Sequence, residues 1–399
     1  MLLILFGTVV AFVALVYIFL TWEFGFWEKY GVKGPKPKIL LGNIPYLLTK
    51  KRHTVYNYDQ LYIKAMAHLM DEVCEHMTDY LRTQAKSSDG VATLDAKEVM
   101  AKYTTDVVAS CIFAIDAQSF VKENPEIRLM GKRIMNFNFV VQLALLVTTF
   151  FPSDAIRYRK ENKINRTDFL DHLLQLQDRK QITDIDIAGH GVSFFADGFE
   201  TSSIVLTYCL YDLAKYPTIQ QELRDEIAKA KQAGGGTMLY EQLGEMALLE
   251  QIICESMRIH PLMAVMAKRC TADTTLVGPK DRKIFVKKGT TVVLPYYSIC
   301  FDAEHFADPY KYDPKRFAAE NGGSKAYRER GVYFPFGDGP RMCLGMRFAV
   351  TQVRRAIVEV VERFSISVSS KTIEPFEMDP DQFMLMPKGS IWLDFKPIA

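Results

Sequence analysis

Cys343 stands in the run Phe334-Pro-Phe-Gly-Asp-Gly-Pro-Arg-Met-Cys-Leu-Gly-Met-Arg347, with Gly337 and Gly339 before it and Gly345 after it. Pro340 stiffens the turn, and an apolar run with helical period, residues 344–364, starts directly behind the cysteine. A cysteine at the mouth of a helix faces unpaired backbone N–H groups and the positive end of the dipole. Its pKa is therefore expected to fall toward thiolate. Arg341 adds a cation two residues away, with a planar fork suited to an anionic group. A thiolate held in this way is a strong electron donor to a metal. The other six cysteines, Cys74, Cys111, Cys209, Cys254, Cys270 and Cys300, lack paired spacing and read as inert thiols of a reducing compartment.

Two further groups of residues bear on chemistry. Ala196-Asp-Gly-Phe-Glu-Thr-Ser202 lies in the middle of a helical segment, residues 184–216, that Pro217 halts. A glycine inside a helix costs about 1 kcal/mol relative to alanine, so Gly198 calls for a packing or functional reason. The Thr201 hydroxyl can bond back to a carbonyl one turn earlier, and with Gly198 nearby the helix is able to open locally. Thr201 beside the Glu200 carboxylate makes a proton-delivery pair; taken alone, the stretch reads better as a helix with an exposed glutamate and a space-filling threonine. Glu255 and Arg258 stand three apart on one face of a helix at 248–259, where they can pair. Their apolar flanks predict a buried pair that is costly to break.

Phe336-x-x-Gly339-x-Arg341-x-Cys343-x-Gly345 resembles the haem-binding signature of the cytochrome P450 monooxygenases. The resemblance implies a mainly α fold with small β-sheets, and Cys343 as axial ligand of haem iron within a loop shaped by Phe336, Gly339 and Gly345. It implies that Arg341 and Arg269 meet the haem propionates, although Arg269 reads equally well as a solvated strand residue. The Thr201 segment resembles the family's oxygen-activating helix, with Asp197 where the family has a small residue, a change that alters cavity polarity. Glu255 and Arg258 resemble the family's Glu-x-x-Arg, completed by Arg316 in Pro314-Lys-Arg-Phe317, a cluster assigned to structure and not to chemistry. Electrons are then expected from NADPH through a separate NADPH-cytochrome P450 reductase, with cytochrome b5 as a second partner and Arg347 near the docking face. Substrates are expected to be small and lipophilic. The style of the motifs is similar to animal, insect-type microsomal members.

The elements that must position these residues follow from composition and period. Residues 1–20 are apolar and uncharged, long enough to span a bilayer. Trp22, Trp27 and a series of lysines come only after them, an asymmetry that leaves the body of the chain in the cytosol. The expected organisation is a membrane anchor at 1–21, an interfacial segment and Pro-containing hinge at 22–38, and a haem-binding catalytic domain at 39–399 on the cytosolic face of the endoplasmic reticulum. Asn165-Arg-Thr167 is a glycosylation acceptor that a cytosolic body leaves unmodified. Amphipathic helices are predicted at 63–83 and 95–115, a longer apolar helix at 129–151 that reads as core before cavity wall or membrane face, and a further helix at 168–179. Strands are predicted at 268–277, 284–286 and 291–294, with short strands and turns from 365 on. Within that tail, residues 384–386 are candidates to reach the substrate cavity. A net charge of +2 on 399 residues marks no nucleic-acid binder, and no phosphate-binding glycine motif occurs.

The chain also departs from the family pattern. None of Trp22, Trp27 and Trp392 is followed by an arginine four residues on, so the family's Trp-x-x-x-Arg clamp on a propionate is missing. Family blocks are expected to be absent near 62–63 and 152–158. Two readings follow: a haem-thiolate monooxygenase, or a truncated and catalytically inactive relative that binds haem poorly or not at all.

Overall fold

The computed structural model describes residues 54–113, 115–123, 125–135, 169–170, 173–174, 183–278 and 281–398. The expected anchor, the hinge, Asn165 and the join near 152–158 lie outside the described residues. Among the described residues no helix is long and apolar enough to cross a membrane. The chain divides into two compact units, Met1–Met66 and Ala67–Ala399, and the second holds every site residue discussed below.

Helix α1, Thr54–Lys86, runs unbroken through the join expected at 62–63. Strand β1, Ala92–Asp95, hands directly to α2, Ala96–Val108, because the Asp95 carboxylate accepts from the N–H groups of Lys97 and Glu98 and caps the helix. The helix predicted over 95–115 therefore begins one residue late and ends in a π turn, Ala109–Phe113. Helix α3 is Glu126–Met135. Helix α4, Asp184–Lys215, opens with a capping box between Thr183 and Asp186 and stops where Pro217 begins α5, Pro217–Ala233. Helices α6, Tyr240–Glu245, and α7, Ala247–Ile259, follow.

The single strand predicted over 268–277 is two strands in two sheets. β2, Met266–Arg269, pairs antiparallel with β5, Thr291–Leu294, whereas β3, Thr274–Val277, pairs with β4, Lys283–Val286. Cys270 breaks the run: its N–H bonds to the Thr290 carbonyl and its carbonyl accepts from Gly289, so the strand closes there. After α8, Tyr296–Cys300, and α9, Gly323–Glu329, comes α10, Met346–Arg363. β6, Phe364–Val368, and β7, Trp392–Pro397, complete a three-stranded antiparallel sheet in the order β1-β7-β6.

The core gathers on α4. Phe199, Leu206, Leu210 and Leu213 are fully buried, as are Val107 and Val108 of α2 and Ile357, Val360 and Val361 of α10. Each such side chain contributes about 1.5–3 kcal/mol on leaving water. Gly198 has its reason here: a Cβ at that position would lie 3.2 Å from Cγ2 of Val108. Close approach of α2 thus explains the glycine. The helix does not open beside it; it continues, with Thr104 Oγ1 of α2 donating to the Phe199 carbonyl at 2.8 Å.

Candidate active site

One cavity of about 970 Å³ is walled by α4, by the loop that carries Cys343, and by β2 with the chain leading into it. From α4 it takes Phe194, Asp197, Gly198, Thr201 and Val205, a single stripe at helical spacing. From the loop it takes Phe336, Arg341, Cys343 and Leu344.

The loop is built by its glycines. Gly337 and Gly339 both adopt φ +72°, a conformation that a side chain disfavours. The Asp338 carboxylate accepts from the Gly339 N–H at 2.8 Å, and the short turn Gly339–Arg341 follows. The Cys343 N–H then donates to the Phe336 carbonyl at 2.8 Å, closing the loop, and Gly345 caps α10. This geometry leaves Cys343 exposed to the cavity, whereas Cys74, Cys111, Cys209, Cys254 and Cys300 are buried.

The expected depression of the Cys343 pKa is corrected by the structure. Partial burial pushes the thiol up; the Gly345 N–H opposes this and the Asp197 carboxylate adds to it. The helix begins at Met346, so a single backbone N–H reaches the sulfur and loses to desolvation. A coordinating metal ion removes a thiol proton outright, whatever the resting value.

On α4 the hydroxyl of Thr201 lines the cavity and donates to the Asp197 carbonyl at 2.6 Å, the back-bond expected of it. Glu200 is not brought to the cavity. One residue earlier on the helix, it is turned toward α2, where Lys97 Nζ donates to it at 2.7 Å and to Ser203 Oγ at 2.9 Å. Burial pulls the Lys97 pKa down, partly restored by Glu200. The carboxylate that does face the cavity is Asp197, four residues before Thr201 and so on its face of the helix. Burial raises the pKa of Asp197.

Arg341 lines the cavity; Arg269 is exposed and outside the lining. Its neighbour Lys268 is in the lining. Met266, Ala267 and Lys268 line it in succession, and the lining stops one residue short of Arg269. Met384 is buried, and the tail reaches the cavity instead through Gln382 and Phe383. His260, at the end of α7, also lines it, held by Asp212 at 3.0 Å and stacked on Tyr208 at 4.2 Å.

Glu255, Arg258 and Arg316 meet beneath the loop as a buried cluster. Arg258 donates twice to Glu255, both at 2.8 Å, and also to the carbonyls of Cys300 and Pro309. Arg316 Nε donates to Glu255 at 3.2 Å, and the Asp313 N–H donates to Glu255 at 2.9 Å. Every lone pair and N–H of consequence has a partner, the condition under which buried charge is tolerated.

These residues fit a haem. The cavity offers one thiol, two cations, Arg341 and Lys268, for carboxylates, and flanking apolar side chains, of which Leu344 and Phe383 are 88% and 82% exposed. The cavity volume is at the upper end of the usual range for cofactor sites.

The comparisons agree with this chemistry. A family model described as Cytochrome P450 matches residues 47–164 and 153–393. The chain is 28% identical, over 499 aligned positions, to the probable cytochrome P450 28a5 of Drosophila melanogaster, covering 97% of this chain and 98% of that one. It is 31% identical to the fly's probable cytochrome P450 28d2, covering 93% and 79%, and 30% identical to cytochrome P450 6j1 of Blattella germanica, covering 83% and 69%. A crystal structure of the cytochrome P450DA heme domain superposes with a TM-score of 0.71 at 20% identity, over 84% of this chain and 73% of that one, a likeness of fold alone. The helical architecture with small sheets is the fold of haem-thiolate monooxygenases. The chain belongs to the cytochrome P450 family.

Proposed function

We propose that this chain is a microsomal monooxygenase of the endoplasmic reticulum membrane, its catalytic domain facing the cytosol. It inserts one oxygen atom of O2 into a small lipophilic substrate, with electrons from NADPH delivered by NADPH-cytochrome P450 reductase and cytochrome b5 as an accessory donor. The observation that carries the reading is that Cys343 and Thr201 face one cavity from different elements. Haem, when bound, supplies the oxygen chemistry.

The chain's own residues have separable tasks. Cys343 would hold the iron, and Arg341 with Lys268 would bind the propionates, Lys268 in place of the Trp-x-x-x-Arg clamp that the sequence lacks. Thr201 keeps a proton at Oγ1 on the cavity surface, parked on the Asp197 carbonyl. The apolar lining from Phe194, Val205, Phe348 and Phe383 excludes water and selects lipophilic molecules.

One observation favours the second reading, an inactive shortened relative. The alignment to the fly protein spans 499 positions, so about a hundred of them have no counterpart in a chain of 399 residues. The family model is also matched in two stretches that meet at 153–164, where a block is expected to be missing. The absorption spectrum of the dithionite-reduced protein with carbon monoxide decides between them. A strongly red-shifted Soret band that disappears in Cys343→Ala is the expected result; failure of the wild-type chain to take up haem would establish the shortened, inactive form.

A further inference from the structure

Asp197 is a carboxylate of the cavity wall without a counter-charge among the described residues. Its only side-chain hydrogen bond among the described residues is a long one, 3.4 Å, from Ser193 Oγ. Three other carboxylates on or near α4 are paired with cations: Glu200 with Lys97, Glu98 with Arg128 and Lys132, Glu255 with Arg258 and Arg316. Among the described residues two basic side chains and two histidines share the lining with Asp197, namely Arg341, Lys268, His190 and His260. None forms an ion pair with it among the described residues.

His260 is already committed to Asp212. Arg341 and Lys268 are the cations that haem carboxylates would take. What remains is one negative charge among Phe194, Phe348 and Phe383. A carboxylate in apolar surroundings is costly unless a cation joins it. Aromatic faces offer that cation a second favourable contact.

We propose that Asp197 makes this cavity selective for lipophilic ammonium compounds: the cationic head pairs with Asp197 and the hydrocarbon body lies on the aromatic wall. The inference rests on the oxygenase reading and narrows its substrate class from lipophilic molecules to lipophilic amines. Thr201 lies one helical turn from Asp197, so an ammonium group anchored there holds the attached carbon chain beside the proton-bearing hydroxyl.

The test compares trimethyl(4-phenylbutyl)ammonium, a permanent cation that cannot coordinate a metal, with its neutral carbon isostere (5,5-dimethylhexyl)benzene. Binding to the full chain, expressed with haem supplied, is measured by equilibrium dialysis. Wild type and the Asp197→Asn and Asp197→Glu variants are examined side by side, so that partitioning into detergent cancels. Asp197→Asn is expected to weaken the cation about tenfold or more while leaving the isostere within about twofold, and Asp197→Glu to keep the preference. Equal effects of Asp197→Asn on both ligands, or no effect on either, overturn the proposal, as does failure of both to bind. The carbon monoxide spectrum of the same samples separates the two ideas. A thiolate-haem band without cation preference sinks the amine selectivity alone. Cation preference in a chain that takes up no haem supports the selectivity and sinks the oxygenase reading.

Discussion

Replacing Glu255 by alanine tests whether the buried cluster beneath the cysteine loop carries structure, as its geometry implies. Glu255 is fully buried and accepts two hydrogen bonds from Arg258, one from Arg316 and one from the Asp313 N–H. Its removal leaves the Arg258 guanidinium, itself fully buried, with only the carbonyls of Cys300, Pro309 and Lys311. Loss of one partner of a buried pair costs about 3–5 kcal/mol, and the surviving carbonyl contacts argue for the lower half of that range. For a unit of about 330 residues, unfolding entropy near 2 cal/mol/K per residue converts 4 kcal/mol into a fall in melting temperature of about 5–6 °C. The surface pair Lys325–Glu329, 3.6 Å apart with side chains 82% and 67% exposed, is the control, and Glu329→Ala there should cost less than about 0.5 kcal/mol. Differential scanning fluorimetry of both variants measures the contrast. Equal, small shifts for Glu255→Ala and Glu329→Ala would refute the structural assignment.

Three further outcomes are expected. Thr201→Ala should lower coupled turnover about tenfold or more and raise hydrogen peroxide release per NADPH consumed, whereas Thr201→Ser should restore most coupling; product and peroxide assays read both. Burial raises the Asp106 pKa from 3.8 to about 6 despite hydrogen bonds from Ser119. Folded chain therefore holds this proton more tightly than unfolded chain, and the stability it contributes below about pH 3.8 is lost as pH rises through about 6. Asp106→Asn should flatten the stability–pH curve in that window, measured by denaturant melts. Gly131→Ala should destabilise by about 1–3 kcal/mol, because its new Cβ would sit 2.9 Å from Cζ of the fully buried Phe199.

Local chemistry made much of this molecule legible from its residues. Pro217 ends α4 where the sequence places the stop, since proline cannot donate the next helical hydrogen bond. Glu255 and Arg258 pair as their three-residue spacing allows, and Gly337 and Gly339 take the positive φ that a tight loop requires. What was not legible depends on neighbours distant in sequence. Gly198 looked like a site of local opening until Val108, some ninety positions earlier, was found packed against it. The Cys343 pKa was read from the helix start and the Arg341 cation, because desolvation by the cavity wall has no signature along the chain. Lys268 was not legible either: Met266, Ala267 and Lys268 line the cavity in succession, so period-two alternation does not single it out from Arg269.

The sharpest divergence concerns the two acids of α4, and it yields a prediction that separates strut from proton donor. Glu200 and Lys97 side chains are each 17% exposed and lie 2.7 Å apart, joining α4 to α2. Asp197 instead opens onto the cavity. If Glu200 is a strut, Glu200→Gln leaves the Lys97 ammonium short of its counter-charge and destabilises the fold by about 2–3 kcal/mol, at or below the cost of breaking a fully buried pair. Lys97→Met combined with Glu200→Leu should recover most of that loss, because two apolar side chains have no desolvation to repay. Peroxide release per NADPH should stay at the wild-type level in Glu200→Gln and rise in Thr201→Ala. A Glu200→Gln variant of unchanged stability whose peroxide release matches that of Thr201→Ala would return the carboxylate to the proton path and remove the strut. The pairing geometry argues for the first outcome: Lys97 on α2 holds the Glu200 carboxylate, which is not in the lining of the cavity that the Thr201 hydroxyl faces.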